Sequence, residues 1–241
     1  MPVFLLSDKK EFPPPHLARQ DGVLAVGGDL SVERLLIAYR MGIFPWFSEG
    51  QPIIWWSPDP RLVLYPQEIR VSNSLKKVLK KGIFRITTDR AFSEVITACA
   101  ETRVQNGEGT WIVEEMIEAY CNLHEAGFAH SAEAWYEGQL AGGLYGVSLG
   151  KCFFGESMFA RVSNASKAAF ALFVEYLNDR SFDLIDCQVR TDHLLRFGAR
   201  EIPRKLFLRQ LQNSLKSPTE TGPWNFDSLK YPLSSFTKKT P

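Results

Sequence analysis

Ala129-His-Ser-Ala-Glu-Ala-Trp-Tyr-Glu-Gly-Gln-Leu-Ala-Gly-Gly-Leu-Tyr-Gly-Val147, continued by Ser148-Leu-Gly-Lys-Cys-Phe-Phe-Gly-Glu-Ser-Met-Phe159, is the stretch of this 241-residue chain whose reading decides the fold. Two turn signals, Glu137-Gly138 and Leu149-Gly150, cut it into strand-length runs at 129–136, 140–147 and 151–159. Spacing this short between turns predicts an antiparallel meander. A long helix over 165–178 follows, with Ser163 or Asn164 as its N-cap. Beyond it come a strand over 182–189, a helix over 191–197 and a strand–helix unit over 201–215.

Antiparallel strands, a long helix, then another strand and helix describe a mixed α/β domain. That order fits an N-acetyltransferase-like (GNAT) sheet, in which a splayed central pair of strands opens a substrate cleft. Upstream, the pattern predicts a strand over 62–65 and helices over 74–81, 91–101 and 113–126, the last stopped by Gly127. A polar loop, Gln105-Asn-Gly-Glu-Gly, precedes Thr110-Trp-Ile. Residues 1–60 are rich in Pro, Gly and aromatics, with Pro13 to Pro15 extended and a short helix capped by Ser31. They read as a small N-terminal domain ending near Pro58 and Pro60, followed by a catalytic domain over 61–241. The tail from about 217 is expected to pack loosely.

Composition narrows the function classes. Apolar residues are 45% of the chain, enough for a full core. Lys plus Arg number 28 against 27 Asp plus Glu, which argues against a coat on nucleic acid such as DNA but leaves room for a local basic patch. Cys99, Cys121, Cys152 and Cys187 form no C-x-x-C pair and read as reduced thiols, not a zinc site. The first residues have no basic leader pattern, and no run of eighteen apolar residues occurs. A cytoplasmic protein away from membranes is expected.

Two polar groupings interrupt apolar strands. In Phe182-Asp-Leu-Ile-Asp-Cys-Gln-Val189, alternation puts Asp186 and Gln188 on one face and Ile185 and Cys187 on the other. Such a pair either pins a neighbouring loop or faces a wet cleft. Gly155-Glu156 breaks Cys152-Phe-Phe…Met158-Phe; a glycine there marks a bulge or a close backbone approach, and Glu156 faces either a cleft or water. In the helix over 165–178, Phe170, Phe173, Val174 and Leu177 fall on one stripe, which is either core or a pocket lining. Lys76, Lys77, Lys80 and Lys81 share one helix face with Arg85 nearby, a solvated surface or a phosphate grip.

Several chemistries lack their residues. His124-Glu125 with His130 misses the H-E-x-x-H spacing, so no metal is expected. There is no G-x-S-x-G and no phosphate-binding G-x-x-x-x-G-K-[ST]. The Gly-rich pyrophosphate turn that acyl-CoA enzymes of similar fold place before their long helix is replaced here by Arg161-Val-Ser-Asn-Ala-Ser166. A related fold without that turn implies an acyl carrier other than CoA. No cofactor is expected.

Longer motifs carry a resemblance. Gly27-Gly-Asp-Leu-Ser, Met41-Gly-Ile-Phe-Pro-Trp-Phe, Trp55-Trp-Ser-Pro-Asp-Pro-Arg61, Gly109-Thr-Trp-Ile, Gly142-Gly-Leu-Tyr-Gly-Val, Phe154-Gly-Glu-Ser-Met-Phe, Asn164-Ala-Ser-Lys and Leu184-Ile-Asp-Cys-Gln-Val resemble the leucyl/phenylalanyl-tRNA–protein transferases from about residue 12 to 211. The resemblance implies transfer of Leu, Phe or less readily Met from aminoacyl-tRNA to proteins with N-terminal Arg or Lys, feeding the bacterial N-degron pathway. It implies a small domain before an N-acetyltransferase-like one. A monomer is expected. Carried onto this sequence, it implies catalytic residues Glu156, Asp186 and Gln188. It also implies an aminoacyl pocket of Trp46, Trp111, Leu144, Phe153, Phe170, Phe173, Leu177 and Ile185. The donor is an ester and the product an amide, so no ATP is required. The attacking α-amine has a reference pKa of about 7.7–8.0, so no strong base is required either. Asp186 is expected to orient Gln188, Gln188 to accept a hydrogen bond from the amine, and Glu156 to attract the cationic acceptor.

Overall fold

The computed structural model describes residues 3–105 and 112–228. Its strands are β1 (Phe4–Leu6), β2 (Val23–Gly27), β3 (Phe44–Pro45), β4 (Ile54–Trp56), β5 (Arg61–Leu64), β6 (Arg85–Thr88), β7 (Ala129–Tyr136), β8 (Gln139–Leu149), β9 (Cys152–Ala160), β10 (Leu184–Gln188) and β11 (Arg200–Ile202). Its α-helices are α1 (Val32–Arg40), α2 (Asn73–Lys81), α3 (Phe92–Gln105), α4 (Glu114–Glu125), α5 (Ala165–Asp179), α6 (Asp192–Arg196) and α7 (Arg204–Ser214). The meander is present as β7, β8 and β9, each antiparallel to the next.

Two mixed sheets result. A four-stranded sheet runs β1-β2-β4-β3, and a seven-stranded sheet runs β11-β5-β10-β9-β8-β7-β6. Near the middle of the larger sheet, β10 lies parallel to β9 and antiparallel to β5. Alternation along these strands feeds two cores. Phe153, Leu144, Leu62 and Ile185 join α5 on one face, while Phe154, Tyr145, Val63 and Leu184 join α1, α3, α4 and α7 on the other. A strand buried on both faces is expected to be apolar almost throughout, so Glu156 in β9 and Asp186 and Gln188 in β10 stand out as polar interruptions. Among the described residues, no helix is long and apolar enough to cross a membrane.

Three local expectations need correction. Asn164 stands at the N-cap of α5 but takes left-handed backbone (φ 70°) and makes no side-chain cap bond. Ser31, by contrast, accepts from the Arg34 amide as a cap should. The strand β6 was not expected, since only Ile86 is strongly apolar in it. The chain after 217 is anchored, at least to residue 228. Trp224 and Phe226 are buried against α5, the Trp224 amide donates to Asp89 at 2.7 Å, and Ser228 pairs with Ile86. Two large aromatics hold the segment by hydrophobic burial, an effect that proline count does not report. The polar loop after Gln105 and the last thirteen residues lie outside the described residues.

Candidate active site

A cavity of about 730 Å³ opens between the two sheets, within the range that holds a small-molecule group. Leu144, Phe153, Met158, Phe170 and Ile185 give it an apolar wall; Glu156 and Gln188 are polar groups on it; Phe44, Pro45 and Trp46 close one side. Trp46 stays 38% exposed, with its ring 5.4 Å from that of Trp56.

Two β-bulges put the polar groups there. In the β8–β9 ladder Tyr145 pairs with Ser157 and Gly146 with Gly155, so Glu156 is the extra residue. Bulges aim side chains out of the regular alternation. Gly155 is not the close approach: a Cβ there would meet only the Asp186 carbonyl oxygen, at 3.7 Å. Gly146 is, because a Cβ on it would lie 2.1 Å from the Phe154 carbonyl oxygen and 2.6 Å from the Phe153 ring. In the β10–β5 ladder Asp186 pairs with Val63 and Gln188 with Leu62, so Cys187 is the extra residue. Gln188 there takes left-handed backbone (φ 61°). Both Cys187 and Gln188 then reach the cavity.

Three donors converge on Glu156. Tyr39 Oη donates to Oε1 at 2.8 Å, Gln188 Nε2 to Oε1 at 2.8 Å, and Tyr120 Oη to Oε2 at 3.0 Å. The two tyrosine hydroxyls also touch each other. Burial raises the Glu156 carboxyl to about 7, against the lowering effect of its three donors; the charge of Asp186 adds to the rise. Burial likewise pushes both tyrosines well above their ordinary value, with the Glu156 charge adding to it, so they remain donors at neutral pH. An ionised carboxylate only accepts, which orients the Gln188 amide with nitrogen toward Glu156 and oxygen away.

Asp186 does not share the cavity face with Gln188, contrary to strict alternation. It is fully buried on the opposite side of β10, registered with Val63 and Phe154. Arg61 grips it there with two bonds, Nε to Oδ1 at 2.8 Å and Nη2 to Oδ2 at 2.6 Å. Its contact with Gln188 is to the backbone amide, which donates to Oδ1 at 2.9 Å. The bulge separates two residues that a regular strand would place together.

Of the expected pocket residues, Trp46, Leu144, Phe153, Phe170 and Ile185 line the cavity. Phe173 and Leu177 do not. Helix α5 presents Ser166 and Phe170 to the cavity and then carries each further turn about 5.4 Å away. Phe173 packs behind the wall on Phe153, at 4.8 Å between centroids, and Leu177 is core. Trp111 lies outside the described residues. On α2, Leu75 and Leu79 are buried while Lys77, Lys80 and Lys81 are exposed and Lys76 is half-buried. Arg85, expected beside this face, pairs with Asp227 through two bonds, the shorter 2.6 Å.

Sequence reasoning missed Tyr39, Tyr120 and Arg61. The tyrosines sit on the core stripes of α1 and α4, where only the choice of Tyr over Phe hints at a polar partner. Arg61 opens a strand after a proline, where a charge reads as an element boundary.

A family model described as leucyl/phenylalanyl-tRNA protein transferase matches residues 63–212, and one for that transferase's N-terminal domain matches 28–59. Curated relatives named leucyl/phenylalanyl-tRNA–protein transferase are similar over nearly their whole length. The Desulforapulum autotrophicum protein is 59% identical, covering 94% of this chain and 99% of that one. The Desulfatibacillum aliphaticivorans protein is 60% identical over 95% and 98%, and the Myxococcus xanthus protein 57% over 93% and 97%. Among solved structures, a Bacteroides thetaiotaomicron protein of unknown function aligns at a TM-score of 0.40 and 12% identity over 67% of this chain and 57% of that chain, too little to argue from. Sequence similarity of this extent settles membership: the chain belongs to the leucyl/phenylalanyl-tRNA protein transferase family, a family of aminoacyltransferase enzymes.

Proposed function

We propose that this chain moves leucine, phenylalanine or, less readily, methionine from aminoacyl-tRNA to the α-amine of proteins beginning with Arg or Lys, marking them for degradation in the bacterial cytoplasm. One observation carries the reading beyond family membership. An apolar wall of Leu144, Phe153, Met158, Phe170 and Ile185 meets a hydrogen-bonded carboxylate–carboxamide pair, Glu156 and Gln188. The wall takes the amino-acid side chain. The pair takes the attacking amine.

In this reading the amine nitrogen attacks the ester carbonyl carbon, a C–N bond forms and the C–O bond to ribose breaks. The Gln188 oxygen accepts a hydrogen bond from the amine and holds its line of attack, a contribution of positioning, not basicity. Glu156, ionised above about pH 7, attracts the cationic end of the acceptor. The amine proton passes to the departing ribose oxygen through its neighbouring hydroxyl. Asp186 serves from behind, through the Gln188 backbone. The lysines of α2 contact tRNA phosphates. The seven-stranded sheet is read as N-acetyltransferase-like, with 1–60 a small domain before it, and the enzyme as a monomer.

The test supplies radiolabelled Phe-tRNA and a peptide with N-terminal Arg. Label is expected in the peptide without ATP or acetyl-CoA. Absence of transfer to the peptide overturns the reading.

A further inference from the structure

Strand β5 begins with an arginine that does not reach the cavity. Arg61 is 1% exposed, and its guanidinium carbon lies 4.8 Å from the Phe44 ring centroid and 4.7 Å from that of Phe207. With both bonds to Asp186 it makes a wholly buried ion pair. Stability is a weak account of such a pair, because apolar side chains of similar volume often do as well without the desolvation cost.

The geometry on the far side of Asp186 supplies a better one. Its Oδ1 is shared between Arg61 Nε and the Gln188 amide. That second bond spans the bulge and closes the turn at Gln188, whose left-handed backbone is rare for any residue with a side chain. In a regular strand residues 186 and 188 would face the same way, so the Gln188 side chain would point toward Arg61 and away from Glu156. The orientation of the Asp186 carboxylate therefore decides where the carboxamide goes. Two parallel bonds from a planar fork fix that orientation; a lysine, as a point charge, would not.

We propose that Arg61 is a positioning residue for aminoacyl transfer: by clamping Asp186 it sets the bulge that turns the Gln188 carboxamide onto Glu156 at the cavity wall. This rests on the function proposed above.

The test compares the full-length wild type with Arg61→Lys, both shown to melt cooperatively. Steady-state transfer from Phe-tRNA is measured, and the Gln188 backbone amide is followed in protein labelled with 15N-glutamine. The expected result is a kcat lower by roughly tenfold to a hundredfold, a KM for Phe-tRNA within about twofold of wild type, and a displaced Gln188 amide signal. Wild-type kcat, or a loss of kcat with the Gln188 amide unmoved, overturns the proposal. Should Arg61→Lys not fold, Arg61→Met/Asp186→Leu replaces the pair with apolar groups and is expected to fold, with the Gln188 amide displaced and transfer slow. Wild-type transfer by that folded double variant also overturns it. If the wild type itself transfers nothing, the function reading fails, while the Gln188 amide still decides whether Arg61 positions that residue.

Discussion

The carboxamide nitrogen of Gln188 donates to the carboxylate of Glu156 at 2.8 Å, and each residue reaches the other because its strand carries a bulge. The contact joins two neighbouring strands, β9 and β10, at the wall of an apolar cavity. If the Gln188 oxygen positions the amine, Gln188→Ala lowers kcat about a hundredfold. Binding of Phe-tRNA, measured by filter retention, stays within about twofold of wild type. Normal turnover would remove Gln188 from the reaction.

Glu156 makes stability depend on pH in a stated direction. Its carboxyl is raised to about 7 in the folded protein, from the ordinary 4.5. A raised carboxyl favours the folded state fully below about 4.5, and that contribution fades as pH climbs to about 7. Between pH 4.5 and 8 the wild type should therefore lose roughly 2–3 kcal/mol more unfolding free energy than Glu156→Gln. Urea melts of both proteins across that interval measure the difference. Parallel curves would show that Glu156 titrates normally.

The tyrosines set where that titration falls. Tyr120→Phe removes one donor to the carboxylate and leaves it enclosed, so the carboxyl moves above about 7. The acid limb of the pH–kcat/KM profile should shift upward. Tyr39→Phe should act the same way. A downward shift would contradict the assignment of these hydroxyls as donors.

Leu144 is 3% exposed and lines the cavity from β8. Leu144→Phe places a ring in space that a substrate side chain would use. Transfer of phenylalanine should fall at least about tenfold relative to leucine, given that one methylene is worth roughly 1–3 kcal/mol in an apolar pocket. Competition between Leu-tRNA and Phe-tRNA reads the ratio directly. An unchanged ratio would place the substrate side chain elsewhere.

Replacing Lys76, Lys77, Lys80 and Lys81 by Ala should weaken tRNA binding and flatten its salt dependence. Each lost phosphate contact reduces the log–log slope by about 0.7–0.9. Arg85→Ala should change the slope little, because Asp227 already engages that side chain. A quadruple variant with the wild-type slope would make α2 an ordinary solvated face.

Local pattern made most elements legible. Glu137-Gly138 and Leu149-Gly150 delimit β7, β8 and β9 because a tight turn needs a residue tolerant of positive φ, and Gly138 and Gly150 both adopt it. The stripe of Phe170, Phe173, Val174 and Leu177 marks α5 because a buried helix face repeats at its own period. By contrast, β6 was illegible because its pairing with β7 supplies what its own residues do not.

What the sequence determined by itself was the α-helices, the strands of the meander with their pairing and, through long motifs, the family. It also singled out Glu156, Asp186 and Gln188 as polar interruptions of apolar strands. Only the tertiary structure decided what each of them touches. A period-two rule cannot show a bulge, since the extra residue exists only relative to the partner strand. It therefore placed Asp186 beside Gln188, whereas the fold turns one toward Arg61 and the other toward Glu156. The donors Tyr39 and Tyr120 lie 117 and 36 residues from Glu156 in the chain. Their meeting is a product of helix packing, and hydrogen-bond partners brought together that way leave no trace in local spacing.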